Sequence, residues 1–185
     1  MIFGVSETEI SGLNILTRLN YMDERGRFSK LYSSEQLKRY GFFNGIAQVN
    51  FSQTNNIGTV RGLHYQTMPY SDTKIVACVR GAVWDVAVDI RESSPTFLQW
   101  HAEEISSSNN KMMVIPAGFA HGFQSLSNDV ELVYLHSREY IPDMERTLSV
   151  SDPKLSIRWP LEISNLSARD FNCKFINGDF KGEYV

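Results

Sequence analysis

Short stretches of alternating apolar and polar residues run through most of the chain. Residues 46 to 53 set Gln48, Asn50 and Ser52 on one side and Ala47, Val49 and Phe51 on the other, the period of two that a strand imposes. The run from Lys74 to Arg80 is apolar between two cations and precedes Gly81. Residues 83 to 90 then alternate Trp84, Val86, Val88 and Ile90 with Asp85, Ala87 and Asp89. Two such runs about one glycine predict a hairpin. Further strands are expected at 98 to 105, 111 to 115, 122 to 126 and 130 to 138, with turns at Asn109-Asn110 and Ser127-Asn128-Asp129. Residues 1 to 20 alternate weakly and suit one or two strands. Residues 23 to 28 read as a turn pivoting on Gly26 into a strand. One short helix is predicted over 34 to 40, because Ser33 with Gln36 fits a capping box and Gly41 ends the turn. The region from 152 to 160 is loop-rich, and 167 to 170 begins a closing turn or short helix. Many short strands and few helices predict an all-β fold, with a double-sheet jelly roll as first choice.

Length and charge narrow the reading. At 185 residues, 42% of them hydrophobic, the chain suits one core and one domain spanning 1–185. Eighteen basic and 21 acidic residues are well mixed, so no basic stripe offers itself to nucleic acid or an anionic membrane. No signal sequence or membrane-spanning run is evident, and only Cys78 and Cys173 are present, so the cytoplasm is the expected compartment.

Two stretches concentrate chemistry. Arg61-Gly62-Leu63-His64-Tyr65-Gln66 gathers a guanidinium, an imidazole, a phenol and an amide around one glycine, and Pro116 to Phe123 carries His121 in a proline and glycine framed turn. Alternate strand residues share a face, so a barrel interior is expected to gather His64, His121, Arg61, Lys74, Gln48 and Asn50 in one pocket.

RGLHYQ at 61–66, Lys74, GAVWDVAVDIR at 81–91, SSPTF at 93–97, PAGFAHGF at 116–123, Tyr134, DPKLSIRWP at 152–160 and SARD at 167–170 resemble the dTDP-4-dehydrorhamnose 3,5-epimerase family. The likeness runs in order from about Arg25 to Asp170. It implies a cupin-like jelly roll that inverts stereocentres of nucleotide-linked 4-keto-6-deoxy sugars. A proton beside a ketone is weakly acidic, so its removal needs a base against the carbon and donors around the oxygen that becomes an enolate; inversion needs an acid on the opposite face. The resemblance assigns these parts to His64 as base, Asp170 as the carboxylate behind it, Lys74 at the enolate oxygen and Tyr134 as acid, with no metal or redox cofactor. It also implies that Arg25, Gln48, Arg61 and Arg169 engage the nucleotide and its diphosphate, that Asn50 and His121 approach the sugar, and that Phe28 and Tyr140 bracket the base. A homodimer with exchanged N-terminal strands is implied as well.

Each residue also has a plainer reading. His64 alone reads as a hydrogen-bonded structural residue, His121 as a turn stabiliser, Tyr134 as packing, Asp170 as a helix cap, Arg169 as a surface cation and Lys74 as a strand-edge charge. Asp85 and Asp89 suit solvated or structural ion-pair positions, and Trp84, Trp100 and Trp159 suit the core. Two departures stand out: Lys30 occupies a position where most family members carry a glutamate, and Arg27 one that is commonly apolar. A lysine donor facing the base leaves both thymidine and cytidine nucleotides open, including a C5-only epimerase of a CDP-linked 3,6-dideoxy-4-keto sugar. A metal-dependent cupin would want a second histidine two residues after His64, where Gln66 stands, and a glutamate soon after. A related ketoisomerase would want a second histidine near Tyr65. A non-catalytic sugar-nucleotide-binding cupin would keep the arginines and aromatics but have no use for an opposed base and acid.

Overall fold

The computed structural model describes residues 3–185. A six-stranded sheet has the order β1, β2, β10, β7, β12, β5, formed by Phe3–Glu7, Asn14–Arg18, Lys111–Ile115, Lys74–Arg80, Val130–His136 and Gln48–Thr54. A five-stranded sheet has the order β13, β6, β11, β8, β9, formed by Glu145–Thr147, Val60–Gln66, Phe119–Ser125, Ala82–Asp89 and Trp100–Ser106. Every pairing in both sheets is antiparallel. A separate ribbon pairs β3 (Asn20–Asp23) with β4 (Gly26–Ser29). The fold is a cupin-like jelly roll: the double-sheet jelly roll is what the alternation predicted, and its cupin-like form is what the family resemblance implied.

The hairpin expected across Gly81 does not form. β7 lies in the six-stranded sheet and β8 in the five-stranded one, so the chain crosses between layers at that glycine. Both runs are apolar because each strand is covered on two faces, a pattern that hides which layer a strand joins. Gly81 has φ 74, and a Cβ there would stand 2.5 Å from Ser127 Oγ.

The space between the sheets is filled at one end by Ile15, Val76, Met113 and Leu132 from one layer and by Val83, Ile105, Phe119 and Phe123 from the other. The outer face of the five-stranded sheet is covered by the C-terminal segment through Leu148, Val150 and Leu155, with half-buried Trp84, Trp100 and Trp159 packed alongside rather than inside the core. The outer face of the six-stranded sheet is covered by Leu37 and Phe42 near α1 (Ser34–Leu37), which continues into a 3₁₀ turn at Lys38–Tyr40. Gly41 ends that turn in the left-handed region as expected, but Ser33 makes no side-chain capping bond. A second helix, α2 (Ala168–Phe171), is capped by Ser167, whose Oγ accepts from the backbone N–H of Asp170. Asp170 is therefore not the cap.

β5 is an edge strand whose apolar face points out. Val49 is 58% and Phe51 62% exposed, while Gln48, Asn50 and Ser52 face the interior. The interior at this end is a cavity rather than a core.

Candidate active site

The cavity, of about 590 Å³, opens between the two sheets at the end the core leaves unfilled. Its walls carry Gln48, Asn50, Arg61, His64, Lys74, His121, Tyr134, Tyr140 and Arg169 together. Strand register explains the convergence. Gln48, His136 and Lys74 form one row across β5, β12 and β7; Asn50, Tyr134 and Val76 form another on the same inward face. On the opposite sheet His121 sits directly across from His64.

Arg61 and His64 both line this cavity although they are three residues apart, a spacing that a regular strand would send to opposite faces. Between the pairs His121↔His64 and Phe123↔Arg61 the register slips, with one extra residue on β6. That bulge restores the phase. It is built on Gly62, at φ 132, where a Cβ would fall 2.5 Å from Gly122 Cα and 2.8 Å from the His121 carbonyl oxygen. Only glycine fits such an approach between two backbones.

His64 Nε2 lies 2.8 Å from Asp170 Oδ1, and the carboxylate is buried while the imidazole is 26% exposed. Burial by itself raises the Asp170 carboxyl, but hydrogen bonds from His64 and from the Ser167 hydroxyl hold it below the ordinary carboxylate range. An anion at that position fixes the imidazole proton on Nε2 and leaves a lone pair on Nδ1. Arg169 packs beside this ring, its Nη2 2.7 Å from Nε2 and 3.4 Å from Nδ1, and its Nη1 pairs with Glu145. The same glutamate accepts from the Tyr140 hydroxyl at 2.9 Å, so a single carboxylate sets both side chains.

Across the cavity the Tyr134 hydroxyl meets Ser52 Oγ at 3.3 Å. Burial pushes its phenol far above the ordinary value, which favours the protonated form and leaves it a proton to give. Its ring lies edge-on to His121 and stacked on His136, with centroids 6.2 Å apart in both cases. His121 is buried with Nε2 2.7 Å from Asp85 Oδ1, and His136 Nδ1 is 2.7 Å from Asp72 Oδ2. Three imidazole–carboxylate pairs thus converge on one space. Lys74 is nearly buried, 3.8 Å from Asp72 Oδ1.

Two expected residues are absent from the cavity. Arg25 is exposed and ion-paired to Asp23, and Phe28 is 63% exposed against Tyr21; both belong to the β3–β4 ribbon, which Arg27 ties to the Ser107 carbonyl and to Asn110. Lys30 is likewise exposed and outside it. Asp85 and Asp89 are not solvated: both are fully buried partners, of His121 and Arg91. Asp72, His136, Glu145 and Ser52 were missed. His136 follows Tyr134 by two and so shares its face, the one signal that would have found it. Among the described residues no group of three or more His, Cys, Asp or Glu side chains is gathered as a metal site, and no helix is long and apolar enough to cross a membrane.

A family model described as dTDP-4-dehydrorhamnose 3,5-epimerase matches residues 7–177. A dTDP-4-dehydrorhamnose 3,5-epimerase of Shigella flexneri is 40% identical over 178 residues, covering 95% of this chain and 98% of that one. A dTDP-4-dehydro-6-deoxyglucose 3-epimerase of a Streptomyces species is 38% identical over 154 residues, 82% of this chain and 78% of that one. Among solved structures, the dTDP-6-deoxy-D-glucose-3,5-epimerase of Legionella pneumophila in complex with dTDP-4-keto-L-rhamnose superimposes with a TM-score of 0.91 at 36% identity, covering 99% of both chains. A 3'-monoepimerase of Streptomyces bikiniensis in complex with dTDP-quinovose gives 0.84 at 36% identity, covering 91% of this chain and 85% of that one.

Proposed function

The chain belongs to the dTDP-4-dehydrorhamnose 3,5-epimerase family of isomerases, and from that premise we propose that it inverts C3, C5 or both in a dTDP-linked 4-keto-6-deoxyhexose without a cofactor. The observation that carries this reading is the opposition, within one cavity, of the His64–Asp170 pair to the buried Tyr134 hydroxyl.

His64 removes a proton from the carbon beside the ketone. The imidazolium that results is stabilised by Asp170, which it meets at 2.8 Å. The Lys74 ammonium faces the ketone oxygen and neutralises the charge that develops there, while Tyr134 returns a proton on the far face of the ring. Arg61 and Arg169 take the diphosphate, Arg169 leaving the ring of His64 to do so; Gln48 stays with the nucleotide, Asn50 and His121 with the sugar, and Tyr140 stacks on the base. The relatives named above all carry dTDP in their names or bound ligands, which favours thymidine over cytidine.

The protein acts as a homodimer of single-domain subunits in the cytoplasm. Arg25 and Phe28 sit on an exposed ribbon away from their own cavity, and exchange with a second copy brings them to the neighbouring nucleotide site. The bare Val49 and Phe51 on the outer face of β5 supply apolar surface for the same contact.

The test is incubation with a panel of dTDP- and CDP-linked 4-keto-6-deoxy sugars in heavy water, with the label located by NMR. Deuterium at C3, C5 or both of a dTDP sugar is expected, and its loss in His64→Ala with dTDP binding retained. Exchange that persists in His64→Ala would remove the imidazole as base.

A further inference from the structure

The third imidazole–carboxylate pair is not used by the proton transfers above. The loop before β7 is tied to the end of β12: the Thr73 N–H donates to Ser137 Oγ at 2.8 Å, and the Ser137 N–H donates to the Thr73 carbonyl at 3.0 Å. This tie sets the buried carboxylate of Asp72 between two cavity-lining groups. His136 Nδ1 is 2.7 Å from one of its oxygens, and Lys74 Nζ is 3.8 Å from the other.

Burial raises the Asp72 carboxyl, but the Lys74 charge and the hydrogen bond from His136 outweigh it and hold the group below its ordinary value. An ionised carboxylate only accepts, so His136 donates from Nδ1, and Nε2, which faces the donor-only Asn50 amide nitrogen, is left as the acceptor on the cavity side. What Nε2 meets there is the Asn50 amide nitrogen at 3.4 Å, long for an N–H donor. His136 therefore offers a poorly used acceptor beside the Lys74 ammonium and the Tyr134 hydroxyl.

Its place says what would use it. His136 is the direct cross-strand partner of Lys74, and its ring stacks on Tyr134. Paired residues on neighbouring antiparallel strands lie about 5 Å apart, close enough for one to serve the ketone oxygen and the other a substituent of the next ring carbon. In a 4-keto-6-deoxyhexose the carbons flanking the ketone bear a hydroxyl at C3 and a methyl at C5, and only the hydroxyl can donate.

We propose that His136, oriented by Asp72, is a specificity-determining residue that accepts a hydrogen bond from the hydroxyl beside the ketone, so that the site favours 4-keto sugars hydroxylated at C3 over their 3-deoxy counterparts. This rests on the epimerase reading. A site that pairs with a substrate hydroxyl discriminates against the analogue lacking it, because the buried acceptor is then left without its partner.

The experiment compares kcat/KM for a dTDP-linked 4-keto-6-deoxyhexose and its 3-deoxy counterpart, scored by deuterium entry at C5, which both possess. Wild-type protein is expected to prefer the hydroxylated sugar by about tenfold or more. His136→Leu brings the two to within about twofold, through KM of the hydroxylated sugar, as loss of a contact made equally in ground and transition states requires. His136→Gln, whose amide oxygen can accept, keeps part of the preference, as does Asp72→Asn if the ring stays in place. An imidazole that merely supported Lys74 or Asn50 would slow both substrates alike; an unmoved ratio in His136→Leu therefore overturns the proposal. Should that variant fail to fold, the wild-type ratio decides, and a preference under about twofold overturns it. Brisk exchange without preference sinks this inference alone. No exchange into either sugar sinks the epimerase reading and this inference with it.

Discussion

Replacing Asp170 by asparagine keeps the size of the side chain and removes its charge from behind His64. In the proposed cycle that charge holds the resting tautomer and is felt most once the imidazole has taken a proton, so its loss falls on the transition state rather than on substrate binding. At 2.8 Å and an effective dielectric constant of about 20, the attraction between imidazolium and carboxylate is about 6 kcal/mol. The imidazole is partly open to solvent and Arg169 stands beside it, so about half of that, about 3 kcal/mol, is the expected rise in barrier. This corresponds to a fall in kcat of about 150-fold, with KM little changed. Deuterium entry into a dTDP-linked 4-keto sugar at substrate saturation measures kcat, and dTDP binding by calorimetry reports whether the nucleotide site survives. A variant that binds dTDP normally and exchanges within about fivefold of wild type would refute the role given to the carboxylate.

Tyr134→Phe should uncouple removal from return of the proton, leaving label uptake with poor net inversion; normal inversion places the acid elsewhere. Gly62→Ala forces a Cβ into the backbone of Gly122 and is expected to lower stability by about 2–4 kcal/mol in thermal unfolding, whereas an unshifted Tm would mean that the two strands can part freely. The Asp89 carboxyl, although burial alone raises it, is drawn down to about 2 by Arg91, Ser94 and Thr96; its contribution of about 2 kcal/mol is fully present above the ordinary value near 3.8 and fades as pH falls toward 2. Asp89→Asn should flatten denaturation midpoints across that window, and an unaltered acid slope would count against it. Competition between dTDP and CDP should favour dTDP, and Lys30→Glu should sharpen the preference if the lysine reaches the base of a neighbouring subunit; an unchanged ratio means that other groups read the ring.

Much of the architecture was legible because antiparallel strands announce themselves by alternation. The inward placing of Gln48 and Asn50 was read from periodicity, which also set Ser52 on their face without assigning it to the site. What alternation cannot say is which layer a doubly covered strand joins, and β7 and β8 were wrongly paired for that reason. Residues of the ribbon were misplaced by a different route: likeness to a family carries the motif of Arg25 and Phe28 but not its position in the fold, which is the exposed β3–β4 ribbon outside the cavity. Glu145, which sets Tyr140 and Arg169, lies on the three-residue β13, too short to leave a pattern. Asp72 sits in a loop, and its meeting with His136 depends on the Thr73–Ser137 tie, a contact across 64 residues that no local signal foretells.

The bulge at Gly62 makes the chemistry a matter of parity. Upstream of it Arg61 faces inward on one count of residues, and downstream His64 does so on the other. Were the bulge ironed out with every residue kept, the imidazole would swing to the face now held by Leu63, among aliphatic neighbours, and a methyl-tipped side chain would look out over the sugar. A tidier strand would be an inert one.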